Sequence, residues 1–136
     1  NAVYDRHPDH GRAAQLIEDA VFLSGLKMIS TSDEGHSQDP WRPRVVYHYI
    51  QDQWIEPDVI VDISAFAEKK LEAIRAFQSQ FHDPQSKEPE TYISRPGFID
   101  SLIYRAQEIG KMIGVQYGEG FTTRRKPGVD SFFHLK

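Results

Sequence analysis

A chain of 136 residues, 39% of them hydrophobic and including 8 Phe, 6 Tyr and 2 Trp, is one domain or part of one and can bury a core. Its net charge of -4, with both signs mixed along the chain, argues against a general nucleic-acid or anionic-membrane binder. The lack of cysteine excludes disulfides, thiolate nucleophiles and Cys-ligated zinc or iron–sulfur sites, and no apolar run approaches the roughly 18 residues of a membrane span.

The spacing of Ala13, Leu16, Ile17, Ala20, Val21 and Ser24 predicts an amphipathic helix from about Asp9 to Ser24, with Asp9 as N-cap, Pro8 near the first position and Gly25 as the stop. Residues 30–43 are polar, with Gly35, Pro40 and Pro43, and read as a long loop. Val45–Ile50 and Val59–Ile63 read as strands, the second of the type buried on both faces. Ser64 is the expected N-cap of a second helix over about Ala65–Phe81, with its stripe at Ala67, Leu71, Ile74, Phe77 and Phe81. His82–Glu90 is a charged loop. A third helix is expected from near Ser94, with Pro96 in its first turn and Gly110 as its end. A short strand follows within Val115–Phe121.

Helix, strand, strand, helix, helix is the pattern of an α/β layered domain. Two buried-type strands leave edges and faces uncovered, so partner strands are expected elsewhere. The sequence also opens without Met, directly on chemically loaded residues, as expected of a piece of a longer polypeptide.

Those residues are Asp5-Arg6-His7-Pro8-Asp9-His10-Gly11-Arg12, two imidazoles and two nearby carboxylates at a helix entry. His7 and His10 are three apart, so one helical turn sets them on one side. Asp9 between them is placed to bond one ring, and flanking carboxylates orient ligand imidazoles. This is chemistry suited to a metal ligand beside an acid/base group. The alternative is a charged helix N-terminus, capped by Asp9, with both rings in solvent. His48, between two Tyr, reads as a satisfied sheet histidine. Asp62 is equally a site residue at a strand end or a partner of the following turn. Arg42 and Arg44 could clamp an anion, although solvated surface is the default for them. Arg124-Arg125-Lys126 reads as a solvated tail. Ser24, Ser64 and Ser79 have no elbow-like glycine context, and no Gly-rich phosphate loop is present.

The run Asp5–Ala13 resembles the second metal motif of the PIG-L/LmbE-like zinc-dependent N-acetylglucosaminyl deacetylases. Further resemblance lies in Phe22–Leu26, Tyr47–Ile50, Pro57-Asp58, Val61–Ser64, Ser79–Phe81, Ser86–Thr91 and Tyr117–Phe121. Together these are similar to the branch acting in bacillithiol biosynthesis on a glucosaminyl–malate conjugate. The resemblance implies the C-terminal half of a Rossmann-like domain spanning residues 1–136, with helices on a mostly parallel sheet. It implies a cytoplasmic enzyme, commonly multimeric, that takes a small amino-sugar conjugate and neither nucleic acid nor membrane. His10 would be a Zn2+ ligand. His7 would act as an imidazolium, its charged form favoured by Asp9, that stabilises the oxyanion and can protonate the leaving amine. Arg42 falls where family members carry an arginine near the site and would contact substrate. Phe98 stands where some members carry an oxyanion-binding Tyr, so that role is either absent or supplied elsewhere, by Tyr92. The family's first motif, His-Pro-Asp-Asp and variants, has no counterpart in the sequence, so the isolated chain is expected to be inactive. A non-catalytic sugar-binding or oligomerisation module is the rival reading.

Overall fold

The structure, a computed structural model, describes every residue except His82, Ser86 and Lys136, and leaves the Gln78 side chain undescribed. Two positions of the expected charged loop, His82 and Ser86, thus lie outside the described residues. The element order is α1 (Pro8–Ser24), β1 (Thr31–Asp33), β2 (His36–Gln38), β3 (His48–Tyr49), β4 (Val59–Asp62), α2 (Ala67–Arg75), α3 (Phe98–Met112) and β5 (Gly118–Thr122). The chain divides into two compact units. One comprises Asn1–Val59 with Gly120–Val129; the other comprises Ile60–Glu119 and the residues from Asp130 on.

In the first unit, α1 begins one residue earlier than the sequence predicts, and its N-cap is His7, not Asp9. Pro8 at the first helical position has no amide to leave unpaired, and His7 Nδ1 accepts the Asp9 N–H at 3.2 Å. The helix packs through Gly11, Ala14 and Glu18, while Leu16 and Ile17 of the predicted apolar stripe stay 67% and 47% exposed. The expected loop at 30–43 contains an exposed hairpin, β1 against β2, with Asp33 opposite His36. Its turn places Glu34 and Gly35 at φ 48° and 83°, the left-handed pair that matches strand twist. No apolar alternation marks these strands, so periodicity could not reveal them.

The other sheet has the order β3-β5-β4. In the first unit, β3 pairs antiparallel with β5, His48 opposite Thr122 and Tyr49 opposite Phe121. The Asp58 amide donates to the Phe121 carbonyl at 2.9 Å. In the second unit, the Ile63 amide donates to the Tyr117 carbonyl at 3.0 Å. The α/β class expected from the sequence is found; the mostly parallel sheet is not seen among the described strands. In the chain, α2 and α3 both lie between β4 and β5.

The second unit corrects both ends of the two predicted helices. Ser64 does not cap α2. Its hydroxyl accepts the Tyr117 amide at 3.1 Å, and a 3-10 turn over Ser64–Phe66 precedes the helix. α2 ends at Arg75 rather than running to Phe81. α3 starts at Phe98, after Gly97 at φ 82°, and continues through Gly110 to Met112. Gly110 is buried against Gly118, where the absence of a side chain on both lets helix and strand touch.

Asp58 closes the first unit chemically. Its Oδ2 accepts the Thr123 amide at 2.9 Å and its Oδ1 pairs with Lys126 Nζ. The Lys126 bond, then the Thr123 amide, hold its pKa below the ordinary carboxylate value against a smaller opposing effect of burial. A depressed folded-state pKa stabilises above the unfolded value, and that contribution disappears as pH falls through the folded one. Thermal unfolding followed into acid is therefore expected to show wild type losing stability more steeply than Asp58→Asn below the ordinary carboxylate range. Parallel curves would remove Asp58 from this role.

Candidate active site

The first residues of the chain are tied down by a buried histidine. His48 is 2% exposed, and both its ring nitrogens are engaged. Nδ1 meets the Asn1 carbonyl at 2.9 Å and Nε2 meets Glu18 Oε1 at 2.9 Å. Glu18 also lies 3.6 Å from Arg124. Tyr49 donates to Asn1 Oδ1 at 2.7 Å. His48 is thus a satisfied sheet histidine, and it fixes where the segment leading into α1 begins.

Four residues on, Asp5 turns inward and its side chain is 1% exposed. Oδ1 accepts two amides from the loop after β3, Asp52 at 3.1 Å and Gln53 at 2.8 Å. Oδ2 bonds Nδ1 of His10. Arg6 reaches back to Asp52 at 3.3 Å, so two consecutive residues grip the same loop. Burial raises the Asp5 pKa, but the Gln53 amide, the His10 ring and the Arg6 and Asp52 amides outweigh it and hold the carboxyl below its ordinary value.

His10, 30% exposed, thereby has its Nδ1 committed, and Nε2 is the nitrogen a metal would use. The His7 ring stands beside it, with centroids 5.4 Å apart and planes tilted by 36°. A ring nitrogen that accepts the capping bond carries no proton, so in this arrangement His7 is the Nε2–H tautomer. Asp9 lies 3.8 Å from that Nδ1 and 3.2 Å from Arg12, on the exposed side of the turn. The sequence reading gave Asp9 the task of orienting a ring. For His10 that task falls to Asp5, whose acidic side chain near the pair was the only signal available in the sequence.

Arg42 is not brought to this cluster. Its guanidinium donates to the Phe22 carbonyl at 2.8 Å, lies over the Phe22 ring at 5.2 Å and covers Gly25. This is the far end of α1, about 20 Å along the helix from His7. The positive charge there meets the carbonyl end of the helix dipole. Tyr92 belongs to the second unit, where it packs edge-on against Phe98 with centroids 5.6 Å apart. Asp62 accepts the Ser64 amide at 3.0 Å, the turn-forming option.

Catalytic zinc usually takes three protein donors and keeps one open position. The chemistry of His10 fits one of them, an imidazole backed by a buried carboxylate. Among the described residues no group of three or more His, Cys, Asp or Glu could hold a metal ion. No described helix is long and apolar enough to cross a membrane.

No protein-family model matches the chain. It is homologous to diacetylchitobiose deacetylase of Thermococcus kodakarensis (strain ATCC BAA-918 / JCM 12380 / KOD1), with 35% identity over 132 residues. The match takes in 97% of this chain and 43% of that protein, so the chain spans under half of its relative's length. The fold resembles the crystal structure of the conserved protein TT1542 from Thermus thermophilus, with a TM-score of 0.73 and 27% identity, over 93% of this chain and 50% of that one.

Proposed function

We propose that this chain carries part of the active site of a zinc-dependent N-deacetylase of the PIG-L/LmbE type, which removes acetate from an N-acetylglucosamine conjugate. The homology to a diacetylchitobiose deacetylase supports the reaction class. The observation that carries the reading is the His10–Asp5 bond beside His7. A carboxylate-backed imidazole next to a second, half-exposed imidazole is suited to metal-assisted hydrolysis.

His10 would hold the metal through Nε2, with Asp5 fixing the ring. Zinc, when bound, polarises an amide carbonyl and lowers the pKa of water. His7 donates from Nε2 toward the amide oxygen as charge grows there. Once the capping bond is given up, His7 would take a proton from solvent on Nδ1, with Asp9 at 3.8 Å to balance the charge, and the resulting imidazolium would give its Nε2 proton to the departing amine and return to the neutral ring. The remaining metal donors and the base that activates water are assigned to polypeptide outside this sequence. The substrate is a small amino sugar. The bacillithiol precursor with a malate aglycone is the finer assignment from the sequence motifs, and a chitobiose-type disaccharide is its competitor.

The experiment is acetate release by the full-length protein from N-acetylglucosaminyl malate and from diacetylchitobiose, before and after chelation and after zinc is returned. Activity lost on chelation and restored by zinc is expected. No release from either substrate with zinc bound would leave the non-catalytic sugar-binding or oligomerisation reading in its place.

A further inference from the structure

We propose that Asp5 is a positioning residue that dictates the tautomer and heading of His10, so that Nε2 and not Nδ1 is presented to the metal. This rests on the deacetylase reading. A carboxylate only accepts, so the proton it shares with His10 lies on Nδ1 and the lone pair of the neutral ring lies on Nε2. The geometry gives the carboxylate little freedom to yield. Its second oxygen is held by the amides of Asp52 and Gln53, 47 and 48 residues away, and its side chain is shut off from water. The loop that supplies those amides is latched in turn by Arg6 on Asp52 at 3.3 Å.

Helical geometry alone would leave His10 free to rotate about its side-chain torsions, because Asp5 precedes α1 and shares no turn with it. The carboxylate that does share the first turn, Asp9, is occupied by Arg12 and lies near the other ring. The heading of the ligand is therefore set by the loop after β3, through Asp5.

Asp5→Asn separates this role from simple packing. The amide has the same shape, and its oxygen can still accept from the loop. Its NH2 then faces His10 and demands a lone pair on Nδ1, which moves the ring proton to Nε2 and blocks the metal position. In the zinc-free full-length protein, long-range nitrogen–proton correlation spectra are expected to show His10 protonated on Nδ1 in wild type and on Nε2 in the variant. Zinc affinity, measured by competition with a chelator, is expected to fall about 10- to 100-fold. The wild-type tautomer is informative even if the variant does not fold. Wild type protonated on Nε2, or equal zinc affinity in the two proteins, overturns the role of Asp5 alone. A wild-type protein that takes up no zinc overturns both this inference and the deacetylase reading.

Discussion

His10→Ala in the full-length protein is expected to lose stoichiometric zinc, with an affinity loss greater than the roughly 100-fold upper range for a residue that only orients a ligand. Deacetylation should disappear with the metal. His7 should behave differently. It makes the cap of α1 and stands 5.4 Å from His10, but the task proposed for it is to donate a hydrogen bond and a proton. His7→Asn keeps a capping acceptor, so the helix start survives. That variant should retain zinc and lose about 10²- to 10⁴-fold in rate, the range of general acid catalysis. Metal content by atomic spectroscopy, read beside the initial rate, separates the two. Full zinc and full rate in His10→Ala would end the assignment. Zinc loss in His7→Asn would make His7 a ligand instead of an acid.

The second large effect is structural. Gly110→Ala should destabilise the second unit, although alanine is the better helix former by about 1 kcal/mol. A Cβ on Gly110 would lie 2.8 Å from the Val115 carbonyl oxygen and 2.9 Å from both the Gly118 nitrogen and the Tyr117 carbonyl carbon. All three are backbone atoms, which cannot swing aside like a side-chain tip. Relief requires α3 to move off the start of β5. That would disturb the turn in which the Val115 amide donates to the Gly110 carbonyl at 3.0 Å. Overpacking of this kind costs about 1–3 kcal/mol and outweighs the propensity gain. Thermal or urea unfolding of Gly110→Ala should show a net loss. A midpoint equal to or above wild type would mean that α3 and β5 separate more easily than this contact implies.

The sequence by itself determined the helices and the later strands, though not the β1–β2 hairpin, and singled out the pair proposed to carry the chemistry. Periodicity over Ala13–Ser24 and the His7–His10 spacing depend on residues within a turn or two of each other, and helix geometry converts such spacing directly into position. The strand at Val59, the helix after Ser64 and the helix before Val115 were legible for the same reason, with ends displaced by a few residues. The tertiary structure alone decided what the site residues touch. Asp5 rather than Asp9 orients His10 because a loop nearly fifty residues away returns to hold its carboxylate. Arg42 faces the end of α1 because the chain after the exposed hairpin comes back to Phe22 and Ser24, where the Trp41 amide also donates to the Ser24 carbonyl at 2.9 Å. The packed side of α1 followed from Glu18 reaching His48. Each of these contacts closes over a long stretch of chain, and no periodicity or spacing within a short window records where such a stretch will return.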